Sequence, residues 1–171
     1  MGTDYLCTMF RFIEGFMSLS LVGFILMLNA ANVSAQDGFY QLAVLKYRGG
    51  GDWYANPTAV PNLVRFCNSE LQMNLKNDVA TVEVGSPELF DYPWIHMTGH
   101  GNVVFSASEA QNLRAFLEAG GFLHISDNYG MDSYVRREMA KVLPEADWNE
   151  LPWSHAVFHS AFDLKRGLPK V

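Results

Sequence analysis

The chain has 171 residues and a formal net charge of −6, which accommodates one domain built around a single core. A mildly acidic balance without a lysine or arginine run argues against nucleic acid as a partner. Cys7 falls in the segment expected to be removed, so Cys67 stands alone and an internal disulfide is excluded.

The first element is an export segment. Phe16 to Leu28 is an apolar run of about 13 residues, shorter than the roughly 20 that a membrane-spanning helix needs. Val33-Ser34-Ala35 closes it with the small-residue pattern a signal peptidase accepts. Residues 1–35 therefore read as a signal peptide cleaved before Gln36, and residues 36–171 as the working domain, periplasmic or secreted. Arg11 is opposed by Asp4 and Glu14, which makes Met9 an alternative start and an uncleaved membrane anchor the alternative fate.

Phe39 to Tyr47 is an apolar strand that runs into Arg48-Gly49-Gly50-Gly51-Asp52-Trp53-Tyr54. Asn56 before Pro57 predicts a capped helix start, and the helix extends to Leu75. Val60, Leu63, Val64, Cys67 and Leu71 recur at spacings of three and four, the buried stripe of that helix. Cys67 on this stripe reads as a small apolar side chain rather than a nucleophile. Val79–Val84 and Tyr92–Thr98 are two further strands, joined around Ser86–Leu89. Ser106 and Glu109 have capping-box spacing, and the helix they open stops at Gly120-Gly121. Phe122–Ser126 is a fourth strand, and Asp132–Leu143 a third helix ended by Pro144. The alternation predicts a three-layer α/β fold, a flavodoxin-like parallel sheet with helices on both faces. Its irregular ending leaves room for one or two strands beyond Val171.

Ligands of such sheets bind at the carboxyl ends of strands, near the point where strand order reverses. Three loops leave such ends. In the first, Gly50 and Gly51 let backbone approach a ligand, Asp52 supplies a carboxylate, and Trp53 and Tyr54 can stack on a ring. It is neither a dinucleotide fingerprint nor a phosphate-cradling loop, since no Lys-Ser/Thr follows. In the second, His100 lies between Gly99 and Gly101, suited to proton transfer or metal ligation. His96 is about 13 Å away along the strand, too far to chelate with His100, and reads as a buried, hydrogen-bonded histidine. The third loop holds Asp127 and Asn128. Asp127 is a candidate ligand, base, or cap of the following helix. His124 reads as structural. His155 and His159 have H-x-x-x-H spacing, but Pro152 and the missing glutamate argue against a zinc site. No metal set and no cofactor is assigned.

Tyr92–Gly101 and Phe105–Leu123 together resemble the class I glutamine amidotransferase-like superfamily, in particular its trehalose-utilisation-protein-like branch. Gly49–Pro57 and His155–His159 are similar to an uncharacterised bacterial domain-of-unknown-function family of that fold, whose members occur as exported domains and in larger envelope proteins. The resemblance implies the fold and not the reaction: those enzymes carry a nucleophilic cysteine on the turn that here reads Ser126-Asp127-Asn128. The expected function is a cell-envelope domain that binds a small molecule or protein through Asp52, Trp53, His100 and Asp127. The alternative is a hydrolase or metal-dependent small-molecule enzyme with His100 as base and Asp127 as its orienter or as a metal ligand. An uncleaved first segment would instead make the chain a membrane-anchored scaffold.

Overall fold

A computed structural model describes residues 40–166, so the expected export segment, residues 1–35, lies outside the described residues. Four strands, β1 (Ala43–Lys46), β2 (Ala80–Glu83), β3 (Trp94–His100) and β4 (Phe122–Tyr129), alternate with helices α1 (Ala59–Glu70), α2 (Ala107–Glu118) and α3 (Asp132–Val142). Every pairing is parallel and the order across the sheet is β2-β1-β3-β4. This is the expected α/β, flavodoxin-like arrangement. The chain moves outward from β1 to β2, returns across β1 to β3 and continues to β4, so strand order reverses between β1 and β3.

Period-two alternation divides the sheet's side chains between two cores. Ala43, Leu45 and Tyr47 join Ile95, Met97, Leu113 and Phe116 in the larger cluster, beneath α2 and α3. Leu42, Val60, Val64 and Leu75 form the smaller one, under α1. The β2-to-β3 passage cannot be a hairpin because the strands are parallel. It crosses β1 through a 3-10 turn, Pro87–Asp91, which Ser86 caps and which plants Leu89, fully buried, in the larger core.

The ends of α2 follow the sequence signals. Ser106 Oγ accepts the Glu109 N–H at 3.2 Å, and Glu109 Oε2 accepts the Ser106 N–H at 2.7 Å. At the other end the N–H groups of Gly120 and Gly121 return to the carbonyls of Leu117 and Phe116, both at 3.0 Å. That is a Schellman closure, and it needs Gly120 at φ +95°. Gly121 is required for a different reason, since a β-carbon there would lie 2.2 Å from the Phe116 ring.

Helix α1 departs from expectation at both ends. Asn56 does not cap it. It sits at φ +55°, its carbonyl accepts the Ala59 N–H, and its side chain reaches Asn128 instead. The helix stops at Glu70, not Leu75, because Gln72 turns left-handed and the Asn68 side chain brackets the backbone of Leu75. Only Val60 and Val64 of the expected stripe are buried, while Leu63 and Leu71 face outward. Cys67 is half-buried against the smaller cluster, and burial pushes its thiol pKa up. Among the described residues, no helix is long and apolar enough to cross a membrane.

Candidate functional site

The glycine-rich loop after β1 and the loop after β3 are zipped together where the strand order reverses. The Val104 N–H donates to the Arg48 carbonyl at 2.7 Å, and the Gly51 N–H to the Asn102 carbonyl at 3.0 Å. A β-carbon at Gly49 or Gly51 would come within 3 Å of that facing backbone, which accounts for two of the three glycines.

Folded back in this way, the first loop brings Asp52 onto His100, the last residue of β3. Asp52 Oδ2 lies 2.9 Å from His100 Nδ1, while Oδ1 accepts the His100 main-chain N–H. The main-chain bond first, and the ring bond second, hold the Asp52 carboxyl below its usual range. An ionised carboxylate can only accept, so a ring proton sits on Nδ1, and in the neutral imidazole Nε2 is the free acceptor. The imidazole stands at the carboxyl end of β3, with 55% of its side chain exposed.

Gly99 makes this approach possible. It lies at φ +146°, and a β-carbon there would meet Tyr47 Oη at 2.3 Å and Asp52 Oδ1 at 3.1 Å. Tyr47 forms the floor, its hydroxyl donating to the Thr98 carbonyl at 3.0 Å. Burial, reinforced by the negative charge of Asp52, pushes its pKa up to about 12, so it stays a neutral donor.

The second loop is anchored from below by Glu138, which is 1% exposed. Its carboxylate accepts from the Phe105 N–H at 2.7 Å, from Lys141 at 2.6 Å and from Arg137 at 2.7 Å. Burial alone would raise this carboxyl, but these donors together outweigh it and hold it low. Arg137 also reaches the Asn102 side chain and the Val103 carbonyl.

Asp127 occupies a different position from the one expected. β4 runs on to Tyr129, so Asp127 and Asn128 are strand residues, and Asp127 pairs in register with Gly99. Its two oxygens accept the N–H groups of Met131 and Asp132, at 2.9 and 3.0 Å, which makes it the cap of the α3 approach. The carboxylate that orients His100 is Asp52. Asn128 is the extra residue where the β3–β4 register shifts, and its Oδ1 accepts from Asn56 at 2.7 Å. Trp53 and Tyr54 stand edge to face, 5.5 Å between centroids, and line a cavity on the α1 side of the sheet that His100 does not line.

His155 caps the Val157 N–H of a 3-10 turn, Ala156–Phe158, while His159 bonds Asp163 and the Trp153 carbonyl. The two rings thus have separate partners. Among the described residues, no group of three or more histidine, cysteine or carboxylate side chains is placed to hold a metal ion.

Sequence reasoning overlooked Tyr47 and Glu138. Tyr47 has a visible signal, as the last apolar residue before a glycine run. Glu138 has none, because a glutamate in a charged helix reads as solvated.

Fold and site together define a doubly wound, flavodoxin-like domain with an Asp–His pair where the strand order reverses. The chain belongs to the family described as Domain of unknown function (DUF4159), whose model matches residues 41–171. No curated protein matches it.

Proposed function

We propose that the protein is an exported cell-envelope domain that binds a small polar ligand beside the ends of β1 and β3, with His100 as the group that reads it. The Asp52–His100 pair carries this reading. An aspartate that grips both the ring and the backbone of one histidine fixes its tautomer and aim, and presents Nε2 as an acceptor for a ligand O–H or N–H. Gly50 and Gly101 have open space about them, unlike Gly49, Gly51 and Gly99, which are packed against the facing loop, Tyr47 and Asp52.

An amidotransferase-like ancestry is supported by the strand order and by the Ser106-capped helix that ends at Gly120-Gly121. Its thiol reaction does not carry over. β4 passes through Ser126-Asp127-Asn128 without a cysteine and without a left-handed residue before Gly130, whereas Cys67 lies on α1.

One observation favours a second reading, in which His100 acts as a general base on water in a hydrolytic reaction. A histidine whose Nδ1 is held by a carboxylate is the arrangement such a base uses, with Asp52 as its orienter.

A thermal-shift screen of small polar metabolites against the wild type, His100→Ala and Asp52→Asn tests the site. A compound that raises Tm in the wild type and in neither variant supports it, and hits that stabilise all three equally overturn it. Turnover of an ester or amide panel, lost in both variants, would select the second reading.

A further inference from the structure

The α1 side of the sheet holds a second histidine pair that the Asp52–His100 site does not use. His96, 6% exposed, is the register partner of His124 on the neighbouring strand, and their Nδ1 atoms are 3.0 Å apart. The ring centroids lie 5.1 Å apart with planes inclined by 16°. At those values the Nδ1 atoms meet nearly head to head, so a single N–H lies between them. Trp94 flanks both rings, at 5.8 and 5.6 Å.

With Nδ1 turned toward β4, the opposite edge of the His96 ring, which carries Nε2, faces toward β1. A cavity of about 310 Å³ lies there, walled by Val44, Val60, Val79, Trp53, Thr81 and His96 itself. None of its lining residues carries a charge.

We propose that this cavity binds a small uncharged aromatic ring bearing one N–H, recognised by His96 Nε2 and held against Trp53 and Tyr54. Its volume falls in the range of small-molecule sites, and its walls mix the apolar Val44, Val60, Val79 and Trp53 with Asn56, Thr81 and the buried His96. A charged ligand would find no counter-charge there. Trp53 and Tyr54, at 86° to each other, offer two ring surfaces. Burial first, and His124 second, push the His96 pKa down to about 4, which keeps its ring a neutral acceptor at ordinary pH.

The histidine pair then connects the cavity to solvent. A ligand N–H donating to His96 Nε2 requires the His96 proton on Nδ1. That proton is donated to His124 Nδ1, which places the His124 proton on its own Nε2. Occupancy of the cavity is thereby written into the tautomer of a histidine one strand away. This site is independent of the reading of His100.

Indole is the probe, and benzofuran, which has the same shape without the N–H, is its control. Titration of the full chain followed by Trp fluorescence and by ¹⁵N-resolved spectra of the histidine rings reads both binding and tautomer. The expected result is saturable indole binding, at least about tenfold weaker for benzofuran, lost in His96→Phe, with His124 moving to the Nε2–H tautomer as indole is added. Equal affinity for the two compounds, no saturation by indole, or an unmoved His124 tautomer in the indole-saturated protein would overturn the proposal. If His96→Phe fails to fold, the benzofuran comparison and the His124 tautomer in the wild type still decide.

Discussion

The two faces of the sheet are built on different terms. Under α2 and α3 the core is continuous: Leu45, Leu89, Ile95, Met97 and Leu113 are all fully buried or nearly so, and the one buried charge, Glu138, is neutralised by Lys141 and Arg137. Under α1 the apolar cluster has four buried members, and the same strands present His96, His124, Thr98 and Asn128 beyond it. Both faces carry a cavity, about 380 Å³ beside Leu123, Met139 and Trp148 on the α2–α3 side and about 310 Å³ on the α1 side, so the faces differ in the polar pairs that the strands present toward α1, His96 with His124 and Asn56 with Asn128. The site at the strand ends depends on the first face: Tyr47 rises from that core, and Glu138 ties down the loop that follows His100.

Truncation of the core breaks this comparison most sharply. Leu113→Ala on the packed face should cost about 2–5 kcal/mol, through lost burial and a cavity that the neighbours cannot close. Val64→Ala on the α1 face, equally buried, should cost roughly 1–2 kcal/mol at about 0.8 per methyl-sized group. Urea denaturation of both variants checks the ranking, and equal losses would mean that the faces are equally constrained.

A pH scan sharpens the contrast from the other side. His96 has a folded pKa near 4, below that of an unfolded histidine, so the unfolded chain takes up its proton first. Its contribution is complete above about pH 6.5 and is lost as pH falls through that window toward 4. The Tm of the wild type should therefore drop relative to that of His96→Gln across this range, since the variant lacks the titrating ring. Parallel curves would mean that His96 titrates alike in the folded and unfolded chain.

The smallest effect belongs to His100. It is exposed, and its loss opens no cavity, so His100→Ala should shift stability by no more than about 0.5 kcal/mol. Asp52→Asn should likewise leave the melting transition nearly in place while freeing the ring from one tautomer, a change visible in the ¹⁵N spectrum of His100. A large loss of stability in either variant would make the pair a structural clamp.

Local sequence signals hold wherever the cause is local. Ser106 and Glu109 satisfy one another's backbone within one turn of helix, and Gly120 ends that helix whatever surrounds it. Such signals give way where a distant partner competes for a side chain. Asn56 carries a good capping signal, yet Asn128, far along the chain, takes its amide and leaves the helix to begin at Ala59. Asp127 is legible as a cap and equally as a site residue, and the structure shows the cap, its oxygens accepting from Met131 and Asp132.

The sequence by itself determined the order of strands and helices, the parallel three-layer class and the three segments at which chemistry could gather. Those follow from periodicity, capping and glycine placement, all short-range properties of the chain. The tertiary structure decided which of the gathered residues meet. Asp52 orients His100 because the glycine loop folds back against Asn102 and Val104, and His96 meets His124 because β3 and β4 pair in one register. A shift of a single residue would send every side chain of a strand to the opposite face, so pairings of this kind are fixed by the assembled sheet and by no stretch of sequence alone.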